Sequence, residues 1–83
     1  ILNLKIIEKS VFFCCSFETF LLPMNVTKIC KKAFASCYKL ENFEITNNSK
    51  LKTIGKDAFN DSKIDPQSIS EKIKNINYNC NIG

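Results

Sequence analysis

Apolar side chains recur along this chain at uneven spacings that themselves repeat. Leu4, Val26, Leu51 and Ile73 open four successive units, and Ile7, Ile29, Ile54 and Ile76 follow three residues later in each. Val11, Ala33 and Ala58 come next, then Phe12, Phe34 and Phe59. The offsets between units are 22, 25 and 22 residues, shared by several columns at once, which coincidence does not produce. The second half of each unit aligns with a slip of one residue: Phe17, Leu40 and Ile64; Phe20, Phe43 and the polar Gln67; Leu22, Ile45 and Ile69; Cys15, Cys37 and, loosely, Ser62. A period this short belongs to a solenoid of single turns, because paired-helix repeats need about 33 residues or more.

Each unit must therefore hold a short strand, a turn and a return path. Phe43-Glu44-Ile45 alternates inward and outward as a strand does, and so does Phe20-Leu21-Leu22. Pro23 and the run Thr46-Asn47-Asn48-Ser49 read as turns. Val26–Ile29 and Leu51–Ile54 are expected to be extended. Lys32–Ser36 and Asp57–Phe59 are expected to form a single helical or 3-10 turn whose Phe plugs the interior, with Gly55 permitting a tight bend before it. Asp65-Pro66 makes the third unit irregular, and the Asn-rich tail INYNCNIG drops the Ala-Phe signature. Stacked units place equivalent side chains about 4.8 Å apart in neighbouring parallel strands, so the three signature phenylalanines should form one ladder.

The segments VTKICKKAFASC and LKTIGKDAF, preceded by ETFLLP and ENFEIT, resemble the BspA-like subclass of leucine-rich repeats over roughly residues 3–76. The resemblance implies a mainly β solenoid of the α/β-solenoid class, with short parallel strands on one side and 3-10 or one-turn helical segments on the convex side. It spans one domain, which the repeat columns divide into repeats 3–24, 25–49 and 50–70 and a partial repeat or cap, 71–83. It also implies a non-enzymatic interaction module with a protein or glycan ligand, at a cell surface or outside the cell, and carries no shared active site.

Composition narrows the chemistry. The 83 residues are 45% hydrophobic, enough for one small core. No apolar run approaches the roughly 18 residues of a membrane-spanning helix. The opening ILNLKIIEKS has no basic leader before an apolar run and no initiator Met, so an excerpt from a longer array is expected. Its bare sheet edges then predict end-to-end association. Twelve lysines and no arginine against 8 acids give a net charge of +4, a set poorly suited to bidentate recognition of bases, and no specific nucleic acid is expected. Histidine is absent, which removes the commonest general base and metal ligand, and no phosphate loop or nucleophile motif is present. No catalytic residue, cofactor or metal is therefore expected. The five cysteines match no zinc spacing and read as apolar filler, apart from Cys14, which should face away from Cys15, and Cys80 in the tail. Unpaired cysteines favour an intracellular repeat scaffold as the alternative.

Three sets of surface positions are candidates. The strand positions Thr19, Leu21, Asn42, Glu44, Ser68 and Ser70 point away from the core by alternation and form the expected binding face. Glu18, Glu41 and Asp65 share a column that could await a cation or a basic partner, against the plainer reading of a solvated, charge-protected edge. Lys9, Lys31 and Lys56 share a second column, and Lys5, Lys52 and Lys74 a third with Thr27 between them. Together these make a stripe attractive to polyanions, or simply a soluble surface.

Overall fold

The computed structural model describes residues 4–73 and 76–80, with Ser70 and residues 78–80 described by their backbone alone. The strands are β1 (Ile6–Ile7), β2 (Thr19–Leu21), β3 (Lys28–Ile29), β4 (Asn42–Glu44), β5 (Thr53–Gly55) and β6 (Asn77–Cys80), and the one helix among the described residues is α1 (Pro66–Lys72). They form two parallel sheets, a four-stranded one in the order β1-β3-β5-β6 and a two-stranded one of β2 and β4. Coil after coil of strand, turn, strand and return is a repeat solenoid, mostly strand and with little helix.

The expected register holds through the first three units. Ile7 pairs with Ile29 and Ile29 with Ile54, while Phe20 pairs with Phe43. A strand of two or three residues has little stability of its own, so each is held by the coil beside it. The core is the set of inward columns. Ile7, Leu22, Val26, Ile29, Phe34, Leu40, Leu51 and Ile54 are all nearly or fully buried, and Phe12, Phe17 and Phe20 pack on them at the first coil.

The phenylalanines form two interleaved ladders. Phe12 stacks on Phe34 at 5.2 Å between ring centroids, and Phe34 on Phe59 at 5.3 Å with only 4° between planes. Phe20 stacks on Phe43 at 5.6 Å. Edge-on contacts at 5.0–5.4 Å then link the ladders: Phe20 to Phe34, Phe34 to Phe43 and Phe43 to Phe59. Offset-stacked and edge-to-face pairs both suit the ring quadrupole, so the repeat period sets an aromatic geometry that each ring finds favourable.

Between the two sheets, where a single helical or 3-10 turn is expected, the chain runs through consecutive reverse turns. The amide of Val11 donates to the Glu8 carbonyl, Phe13 to Ser10 and Cys15 to Phe12; Ala33-to-Cys30 and Ala58-to-Gly55 bonds repeat the pattern. Alternate amides donate across to the next coil: Ser10 to Lys31, Phe12 to Ala33 and Cys14 to Ala35, then Lys32 to Lys56, Phe34 to Ala58 and Ser36 to Asn60. This zig-zag requires left-handed backbone at two columns, and Ser10, Lys32 and Asp57, then Cys14, Ser36 and Asp61, all have φ between 55 and 60°. Left-handed backbone costs an L-residue roughly 1–2 kcal/mol, so the inter-coil bonds hold it in place.

Three expectations change. First, Gly55 opens the turn closed by the Ala58-to-Gly55 bond, but its φ is not left-handed and Cys30 opens the equivalent turn, so the bend does not need glycine. A Cβ there would stand 2.5 Å from the Lys31 nitrogen and 2.7 Å from the Cys30 carbonyl carbon, so glycine allows the third coil to approach the second. Second, the irregular third unit folds as α1 in place of a strand. Asp65 is its N-cap, accepting from the Gln67 amide at 3.0 Å, and Pro66 follows in the first turn, where its missing N–H costs nothing. Third, the tail re-enters the four-stranded sheet as β6, shifted so that Thr53 faces Asn77 and Gly55 faces Cys80. Ile76 therefore lies opposite Lys52 and not Ile54, though it still packs on the core with Ile73.

Candidate binding faces

The predicted binding face divides at α1. Thr19 and Leu21 on β2 stand directly beside Asn42 and Glu44 on β4, and all four are exposed. Leu21 is 61% exposed, because the alternation that sends Phe20 inward sends its neighbours out. Ser68 and Ser70 do not extend this face as strand residues. Both lie in α1, where the Ser68 hydroxyl donates to the Asp65 carbonyl at 2.6 Å, and the side chain of Ser70 lies outside the described residues. The break leaves an open cleft of about 370 Å³ between β4 and α1, lined by Asn42, Phe43, Glu44, Ile64, Ser68 and Lys72 among others.

The acidic column shortens in the same way. Glu18 and Glu41 are adjacent, since the Glu41 and Asn42 amides both donate to the Glu18 carbonyl. Lys63 reaches the Glu41 carboxylate at 3.4 Å, in an exposed pair. Asp65 is occupied in capping α1. No group of three or more His, Cys, Asp or Glu residues placed to hold a metal occurs among the described residues. An exposed ion pair of this kind has little effect on stability but does offset the repulsion between stacked carboxylates.

The lysines gather on the other sheet. Lys5, Thr27 and Lys52 lie just before β1, β3 and β5, joined by the Thr27-to-Lys5 and Lys52-to-Thr27 backbone bonds, and Lys9, Lys31 and Lys56 lie just after them. Lys28 sits between them on β3, in register with Ile6 and Thr53, so it belongs to the same basic face although it shares no lysine column. Only strand pairing reveals its place. Lys74 lies outside the described residues.

Cys15, Cys30 and Cys37 pack inward as filler. Cys30 and Cys37 are buried, Cys15 is half-buried, Cys14 is exposed, and all four are free thiols; the side chain of Cys80 lies outside the described residues. The Cys37 thiol donates to the Phe12 carbonyl at 3.0 Å. Burial, and then the adjacent Cys37 thiol, push Cys15 up to about 12, and burial raises Cys30 as well. These two thiols resist forming the nucleophilic thiolate.

The family model for the BspA type leucine rich repeat region (6 copies) matches residues 2–82, almost the whole chain. The chain belongs to the BspA-type leucine-rich repeat family. No curated protein and no solved structure matches it. Membership accounts for the recurrent Ala-Phe signature, the parallel strands and the stacked rings with one cause, the repetition of a unit that cannot bury its own apolar face alone. Leucine-rich repeats of this kind are characteristically interaction modules and generally carry no catalytic centre. No helix among the described residues is long and apolar enough to cross a membrane.

Proposed function

We propose that this BspA-type repeat is a single solenoid domain, with repeats 3–24, 25–49 and 50–70 and a partial repeat or cap at 71–83, that binds a protein or glycan through the β2–β4 face and performs no chemistry. The observation that carries this is Leu21, a large aliphatic side chain held outward on a strand and 61% exposed, with the polar Thr19, Asn42 and Glu44 set around it in fixed register. An apolar centre with a polar rim is the usual anatomy of an interface. The setting proposed is a cell surface or the extracellular space, with adhesion as the role. The rival setting is an intracellular scaffold, which free thiols favour. Thiol titration of the unfolded native protein decides between them: five reactive thiols count against long residence outside the cell.

A photo-crosslinking residue at position 21 tests the face, with one at Lys56 as the control. Adducts at position 21 that are competed by excess unmodified chain, and absent at position 56, support it. Equal or uncompeted labelling at both sites removes it.

A second reading is supported by the register that gathers Lys5, Lys9, Lys28, Lys31, Lys52 and Lys56 around one sheet. On this reading the four-stranded sheet binds polyanions, and affinity for heparin falls steeply with salt. No heparin binding at low salt eliminates it. Copies of the chain are also proposed to associate end to end. The amides of Asp57, Phe59 and Asp61 at one end and the carbonyls of Lys9, Val11 and Phe13 at the other continue the inter-coil pattern, and neither set has a backbone partner among the described residues. Sedimentation that is independent of concentration excludes such association.

A further inference from the structure

The geometry points to a strand-accepting groove between β4 and α1, one that takes an extended peptide as a third strand of the two-stranded sheet. This deepens the proposed role of the β2–β4 face and rests on it. In a parallel pair, successive residues direct their backbone groups to opposite edges. The Asn42 amide donates to Glu18, and the Glu44 carbonyl accepts from the Leu22 amide, so both residues face β2. Phe43, between them, turns its N–H and C=O to the other edge, where the third coil supplies α1 and no strand. Among the described residues neither group has a hydrogen-bond partner.

This edge is accessible. The cleft of about 370 Å³ is lined by Phe43, although the residue as a whole is only 7% exposed and its ring is packed between those of Phe20, Phe34 and Phe59. It is therefore the Phe43 backbone that meets the groove. An open strand edge beside a cleft is the setting for strand addition, in which main-chain bonds supply affinity and alternate side chains supply specificity.

The register of the existing pair defines the occupant. An added parallel strand places one outward residue beside Asn42 and the next beside Glu44, as Thr19 and Leu21 do from the other side. The residue between them faces Phe43 and the Ile64 side of the groove. Glu41 is already paired with Lys63, and Asp65 with the α1 amide, so the charges left along the cleft are Glu44 on the β4 wall and Lys72 on the α1 wall; the added residue directly beside Glu44 in the sheet is the basic one. The ligand is thus an extended segment of the form polar, small apolar, basic.

The probe is the peptide acetyl-Ser-Thr-Val-Lys-Ser-amide, whose Thr carbonyl and Lys amide flank the Val opposite Phe43 and so meet the Phe43 N–H and C=O; it is tested with a copy N-methylated at Lys and against the uniformly labelled chain by amide exchange. Binding of the first peptide is expected to slow exchange at the Phe43 amide about tenfold or more, as for an amide entering a hydrogen-bonded ladder. The methylated copy is expected to give no protection. If both peptides perturb Leu21 and Glu44 equally while Phe43 exchange is unchanged, the edge is idle and the inference fails, yet the outward face still binds through side chains. If neither peptide binds, the inference fails as well, and the crosslinking result at position 21 stands or falls separately.

Discussion

A methyl group added at Gly55 would stand 2.5 Å from the backbone nitrogen of Lys31, and backbone cannot swing aside as a side chain can. Gly55→Ala must therefore push the third coil off the second, and a loss of about 1–3 kcal/mol is expected, in line with overpacked cores. Urea denaturation measures it. Cys15 gives a pH test. Its thiol is raised from an ordinary 9.0 to about 12 in the fold, so the folded chain holds this proton more tightly than the unfolded one. The contribution is complete below the unfolded pKa and is lost as pH rises from about 9 towards 12. The gap in urea midpoint between the native chain and Cys15→Ala should change in that window and be flat below it. A gap that changes between pH 5 and 8 instead would contradict the assignment. The left-handed residues mark a limit of sequence reading at this scale. Lys32, Ser36 and Cys14 are not residues that announce positive φ, and the inter-coil bonds that hold them come from other coils.

At the scale of the element, α1 was legible but outweighed. Asp65-Pro66 is an N-cap followed by a proline in the first turn, and Ile69 and Ile73 lie one helical turn apart. The repeat columns placed Ile69 in line with Leu22 and Ile45, and that alignment argued for a strand. The structure keeps both signals, because Ile69 is buried at 2% from a helix just as its counterpart Leu22 is buried from the end of a strand. Asp65→Ala removes the bond to the Gln67 amide, and a loss of about 0.5–2 kcal/mol is expected. Asp65→Asn and Asp65→Ser should recover most of it, which separates capping from charge. The β6 register shift could not be read from the columns, because the tail lacks the Ala-Phe signature that aligns the other units. The division of the expected binding face comes from α1, which takes up Ser68 and Ser70.

At the scale of the whole molecule, inward columns determine the architecture, and they were plain in the spacing of Ile7, Ile29 and Ile54 and of Phe12, Phe34 and Phe59. What the spacing could not show is that the strands sort into two sheets, that Lys28 joins the basic face, or that the two phenylalanine ladders interlock edge to face. Phe34 is the junction, fully buried and in ring contact with Phe12, Phe20, Phe43 and Phe59. Phe34→Ala is expected to cost about 3–5 kcal/mol, which is close to the entire stability of a domain this small. Loss of cooperative unfolding by circular dichroism would report it, and Phe34→Leu should retain a folded chain.

The fold depends most on coils lying over one another in register, and selective ring labelling tests this directly. In a chain with labelled phenylalanine rings, nuclear Overhauser contacts are expected from Phe34 to both Phe12 and Phe59 and from Phe20 to Phe43. Rings that show contacts only to water, or only to neighbours within their own repeat, would contradict it.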